Sequence, residues 1–118
     1  MSEALQSVGG LRKITSSITG VSRAYTAAMD LAAFERQLRQ EGFRQIYVWQ
    51  DGAHAFYPDH THPMDTAHIV LEGEMTLTCG GSTNTYAAGQ RPPDVPAGAV
   101  HSARMGPGGC RYLIGEKG

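Results

Sequence analysis

The sequence is short of cysteine, of excess charge of either sign and of long apolar runs, and each shortage closes off a class of protein. Its 2 cysteines, Cys79 and Cys110, have neither the spacing of a zinc ribbon nor the density of a disulfide scaffold, so both are expected as free thiols. Lys and Arg number 10 against 11 Asp and Glu, which leaves a formal charge of −1 and no basic run to hold a polyanion. Nucleic acid and anionic membrane are therefore poor partners, and a small molecule is the expected one. No window approaches the roughly 18 apolar residues of a membrane span. The N-terminus carries Val8-Gly9-Gly10 where a targeting segment would have an apolar core, so a cytoplasmic location is expected. Internal repeats and low-complexity linkers are absent too, the 6 prolines lying between apolar runs.

What the sequence does contain is enough for one core. At 118 residues and 41% hydrophobic, the chain is too short for two ordinary domains. Residues 1–20, with Ser, Thr and Gly around isolated Leu11, Ile14 and Ile18, are expected as a weakly structured arm, and 21–118 as a single domain. One helix is predicted over about residues 30–41. Asp30 can N-cap it, Met29 and Phe34 form a staple, and Leu31, Phe34 and Leu38 share a stripe. Glu35 and Arg39 can pair on its exposed side, Gly42 supplies the stop, and Phe43 can fold back on Leu38.

From Arg44 onward the pattern is β-type. Ile46–Trp49, Ala55–Tyr57, His68–Leu71, Met75–Thr78 and Arg111–Ile114 read as strands, divided by Asp51-Gly52, Glu72-Gly73, Gly80-Gly81 and Gly108-Gly109. Such spacing predicts an all-β sandwich or barrel.

The chemistry gathers on histidine. His60 and His62 flank Thr61, and His101 closes the run Pro96-Ala97-Gly98-Ala99-Val100. Because strand side chains alternate, His60 and His62 share a face, and a third imidazole from a neighbouring strand can complete a metal site. The same parity points Thr66, His68 and Val70 inward and leaves Ala67, Ile69 and Leu71 outward. That apolar outer face needs cover from the helix, the arm or a second subunit; if register slips at Pro63, those residues are the core instead. His68 is a candidate fourth ligand, a general base or a pocket residue. His54 fits a pocket rim or plain surface, and Asp65 a solvated loop carboxylate unless the Pro63 segment bulges. Trp49, Tyr57, Met64, Met75 and Met105 are candidate pocket walls, while Arg91, Arg104 and Arg111 can meet a ligand carboxylate or simply be solvated. Gly98, with Pro96, fits a tight turn that delivers His101, and Gly73 a hairpin after Leu71.

His60-Thr61-His62-Pro63, then Val70-Leu71-Glu72-Gly73-Glu74, then Gly89 and Pro96-to-His101 resemble the two motifs of the cupin superfamily, at about residues 54–74 and 89–105. The resemblance implies an RmlC-like jelly-roll barrel of two antiparallel sheets, with a ligand pocket in its mouth and a divalent metal held by both motifs. It also implies a homodimer. The sequence departs from the family pattern where a glutamate usually follows the second histidine, since counting reaches Thr66 or Ala67. His54 stands where a glycine is usual, Gly89 and Pro96 are one residue further apart, and Met105 replaces a terminal asparagine.

Without that glutamate, His60, His62 and His101 alone can hold Fe, Ni, Cu, Zn or Mn, or His68 can make a fourth imidazole. A site of neutral ligands keeps the ion's full +2 charge and favours a small anionic, oxygen-rich chelating substrate. The expected function is a three-histidine oxygenase, such as a dioxygenase, or a related metalloenzyme. A non-catalytic binding or sensing cupin, and a metal-independent isomerase or lyase using histidine as acid and base, are the alternatives.

Overall fold

The computed structural model describes residues 31–118, nearly all of them in one compact unit, Phe34–Gly118. The expected arm over 1–20, the Asp30 cap and the Met29 half of the staple lie outside the described residues.

Residues 31–40 are helical (α1) and end as the sequence predicts. Gly42 takes φ 97°, which a side chain would resist, and this lets Gly42 N–H reach Arg39 O at 3.1 Å and Phe43 N–H reach Leu38 O at 3.0 Å. Glu35 and Arg39 pair at 2.8 Å on the exposed side. Leu38 and Phe43 are buried against Gly115, where an added Cβ would come within 3.1 Å of the Leu38 methyl.

Five strands follow: β1 (Gln45–Asp51), β2 (Phe56–His60), β3 (Thr66–Cys79), β4 (Ser82–Ala87) and β5 (His101–Glu116). They are antiparallel, in the order β1-β5-β3-β4, with β2 also paired to β5. The two longest strands run through both halves of the barrel. One half joins β1, the end of β5 and the start of β3, through pairs such as Val48↔Leu113 and Ile69↔Leu113. The other joins β2, the start of β5, the end of β3 and β4.

The bend between the halves corrects two expectations. Glu72-Gly73 and Gly108-Gly109 do not close hairpins; each lies within a continuous strand, and the β3–β5 register shifts around Val70–Glu72 and Gly73–Met75. Gly73 (φ 80°) and Gly109 (φ 79°) let the strands turn sharply, and a Cβ on Gly73 would overlap the Gly109 carbonyl oxygen. Gly80-Gly81, by contrast, forms the expected two-residue hairpin, both glycines having positive φ.

β4 has no counterpart among the expected strands. Its sequence, STNTYA, has little apolar alternation; the β3 ladder holds it, helped by Thr76–Thr85 and Thr78–Thr83 hydroxyl pairs at 2.7 and 2.9 Å. Alternation across the β3–β5 pair sorts the faces as expected. Val70 joins Met75, Met105, Cys110 and Tyr112 in an inner cluster, while Ala67 and Ile69 are buried on the opposite face, where α1 covers Gly115, the partner of Ala67.

Candidate metal centre

A cavity of about 310 Å³ opens between the two halves, and residues from both line it. A wider depression beside Arg39, Arg44 and Gly118 lies on the outside and contains none of the histidines.

His60 ends β2 and His101 begins β5, and the two are paired across the ladder. His62 follows two residues on. The ring centroids of His60 lie 4.9 Å from His62 and 4.2 Å from His101, with 4.8 Å between His62 and His101. One ligand nitrogen from each falls within 4.8 Å of the others, so the three rings can close on one ion.

The backbone sets which nitrogen is free. His60 Nδ1 lies 2.7 Å from Pro58 O and His101 Nδ1 lies 3.0 Å from Ala99 O. A carbonyl can only accept, so the neutral form of each ring carries its proton on Nδ1 and leaves Nε2 as the nitrogen free to bind. His62 is held below the usual imidazole range, first by burial and then by its neighbours His101 and His60. A divalent ion requires the neutral form of each ring, with one nitrogen free to bind.

The Pro96–Ala99 turn holds this arrangement from outside. Gly98 has φ 80°, Ala99 N–H bonds Pro96 O at 3.0 Å, and Gly98 N–H donates to His62 O at 2.9 Å. Asp65 is neither a loose loop carboxylate nor a member of the histidine cluster: its Oδ1 accepts Ala97 N–H at 2.8 Å and ties the two motifs together.

Thr66 is buried and turns its hydroxyl to Met64 O, so it offers the cavity no charge. Directly opposite it on β5, however, stands Glu116, which lines the cavity and accepts the Tyr47 hydroxyl at 2.8 Å. Burial first, and then Glu116, push that phenol up to about 12. The local signal for Glu116 is the Tyr112-Ile114-Glu116 alternation, which places it on the inner face. Asp51, which the sequence marks only as part of a turn, ends β1. Its carboxylate accepts Tyr57 at 2.6 Å, Tyr112 at 2.7 Å and Trp49 Nε1 at 3.1 Å, and Tyr47-Trp49-Asp51 was the alternation that pointed to it. Burial first, and then Asp51, raise Tyr112; the Asp51 hydrogen bond is the main cause for Tyr57.

His68 faces the cavity but is not part of the close cluster. Burial, followed by the charges of His101, His62 and His60, lowers it to about 4. Trp49, Tyr57, Met75 and Met105 line the cavity; Met64 instead packs by Gly118. His54 is exposed in a turn at φ 58°. The three arginines lie elsewhere, Arg91 on Glu41 and Asp94, Arg104 over the Phe56 ring at 4.4 Å, and Arg111 3.6 Å from Glu72. Cys79 and Cys110 are unpaired, and burial pushes the Cys110 thiol up to about 11.

No family model and no curated protein matches the sequence. Solved structures do match. A cupin superfamily protein of Desulfitobacterium hafniense aligns with a TM-score of 0.55 and 21% identity over 61% of this chain and 64% of its own. An RmlC-like cupin of Shewanella frigidimarina aligns at 0.56 and 21% identity over 65% and 68%. The DMSP lyase DddQ of Ruegeria pomeroyi aligns at 0.57 and 26% identity over 62% of this chain and 37% of its own. The chain thus spans about two thirds or less of these relatives. Antiparallel strands bent into two facing halves, with a histidine cluster at their junction and these neighbours, establish that the chain has the cupin fold.

Proposed function

We propose that the protein is a metal-dependent enzyme whose divalent ion is held by His60, His62 and His101, and which acts on a small anionic, oxygen-rich chelating substrate. The observation that carries this is a group of three histidines whose candidate ligand atoms all lie within 4.8 Å of one another, with Nδ1 of His60 and His101 turned to backbone carbonyls so that Nε2 is the nitrogen left to bind. Packing alone gives no reason to gather three imidazoles this closely.

A bound ion would supply Lewis acidity and, for Fe, Ni, Cu or Mn, redox chemistry. The residues determine the rest. No Lys or Arg lines the cavity among the described residues, so the ion's charge is what attracts an anion. Met75, Leu77, Met105 and Ile114 exclude water from the remainder of the substrate, and Glu116, oriented by Tyr47, is placed to take a proton near the His62 side. An oxygenase of the three-histidine type fits this arrangement best.

The alternative of a binding or sensing module shares the metal and the cavity and differs in yielding no product. The metal-independent isomerase or lyase would use His68 or His101 as acid and base; of the two, His68, lowered to about 4, is a weak base near neutral pH. The DMSP lyase neighbour is the observation that keeps lyase chemistry in view. A homodimer remains part of the proposal. Strand β1 has only β5 as partner among the described strands, and light scattering would give the mass.

Elemental analysis of protein purified without an affinity tag tests the centre. Near-stoichiometric metal in the wild type and little in His60→Ala/His62→Ala is expected, and equal content in both sinks it. Oxygen uptake with catechols and 2-oxo acids then separates the oxygenase from the binding module.

A further inference from the structure

His68 is the one histidine at the cavity whose role the metal cluster does not explain. Its Nδ1 is fully buried and has no hydrogen-bond partner among the described residues. His60 and His101 give their Nδ1 protons to carbonyls, and His68 has no such acceptor. A proton on its Nδ1 would be an orphaned buried N–H, which folded proteins avoid more strictly than a bare acceptor. The tautomer with the proton on Nε2 therefore costs less.

We infer that His68 is a neutral hydrogen-bond donor to the bound small molecule, presenting Nε2–H to the cavity, and is not a fourth metal ligand. Its Nε2 has no lone pair to give while the proton is there, and moving that proton to Nδ1 would create the buried orphan. The depressed basicity of the ring agrees, because burial and the nearby imidazoles oppose a second proton.

This assignment narrows the ligand class and, for the chelating end, rests on the proposed metal centre. One end of the molecule is anionic and meets the ion. The part that reaches His68 carries an uncharged acceptor, such as a carbonyl, ether or nitro oxygen. A carboxylate or phosphate there would find no cation among the described lining residues, and an ammonium group would meet a donor. Asp51 offers little competition, since Trp49, Tyr57 and Tyr112 already donate to it.

Long-range proton–nitrogen correlation spectra of protein labelled with 15N-histidine, without metal and with Zn2+, test the tautomer. His68, assigned from the signals missing in His68→Gln, should show a protonated Nε2 and a bare Nδ1 in both states, while Zn2+ moves the Nε2 signals of His60, His62 and His101. A protonated Nδ1, or a zinc-shifted His68 Nε2, overturns the inference. Zinc that moves none of the rings overturns the metal centre instead, and the metal-free spectrum alone then decides the tautomer. Binding of 4-nitrocatechol to the zinc-loaded protein gives a second readout. His68→Leu should weaken it about five- to tenfold, His68→Gln, which keeps an N–H, less so, and neither should change zinc affinity. Undiminished binding by His68→Leu, or loss of zinc from both variants, overturns the donor role.

Discussion

Gly98 controls the histidine cluster without entering it. Its positive φ closes the turn before His101, and its N–H holds the His62 carbonyl, so one backbone position orients a histidine from each motif. A β-branched residue at that φ costs roughly 1–2 kcal/mol and opens the turn. Gly98→Val should therefore weaken metal binding about tenfold by competition titration, with unchanged far-ultraviolet circular dichroism. Unchanged affinity would remove Gly98 from the site's support. At this scale the ligand candidates and the turn were legible, because H-x-H and P-x-G-x-x-H are local patterns. Glu116 and Asp51 were not, because each acquires its role only from tyrosines on other strands.

The elements that shape the cavity are β3 and β5, which stay hydrogen-bonded while bending. Gly73 makes that bend possible by letting β3 approach the Gly109 backbone. Gly73→Ala should destabilise the protein by ~3 kcal/mol in urea unfolding, since backbone, and not a flexible side chain, occupies the Cβ position. A loss below ~0.5 kcal/mol would show that the bend tolerates a side chain. Glycine marks a turn, a bulge or a close approach equally well in a sequence, which is why the same dipeptide pattern predicts turns at four places and the strands divide at only two of them, Asp51-Gly52 and Gly80-Gly81.

A second element-level link joins the end of α1 to the segment before the Pro96 turn. Arg91 meets Glu41 at 2.7 Å, and the bond from Arg91, helped by Gln37, lowers the Glu41 carboxyl from 4.5 to about 2. Because the folded value is the lower one, the contribution is complete above about pH 4.5 and fades as pH falls through about 2. For this partly exposed pair it amounts to ~1 kcal/mol. Glu41→Gln should flatten the acid side of the stability profile by that amount, measured by urea unfolding from about pH 6 down to about 2. An unchanged slope would assign the acid sensitivity to other carboxylates.

At the scale of the whole molecule, the proposed metal centre would brace the barrel. The three histidines come from the end of β2, the segment after it and the start of β5, so an ion held as proposed would tie these three segments together. Anything that binds the folded state alone stabilises it, by ~2.7 kcal/mol at a free concentration one hundred times Kd. Saturating metal should raise Tm by about 10 °C or more in wild type and leave His60→Ala/His62→Ala unmoved. Equal shifts in both would place the binding elsewhere.

By itself the sequence determined the β architecture, the end of α1, the inward parity of His60, His62, Thr66 and His68, and the absence of a carboxylate at the usual motif position. These follow from spacing along one chain, where period-two alternation and turn chemistry act over a few residues. Only the tertiary structure decided that Gly73 and Gly109 bend strands instead of ending them, and that polar β4 completes the sheet. It also brought a carboxylate back to the cavity, with Glu116 standing across from Thr66 on β5. Residues 50 positions apart become partners through the ladder, and no local pattern encodes which strand will lie beside which.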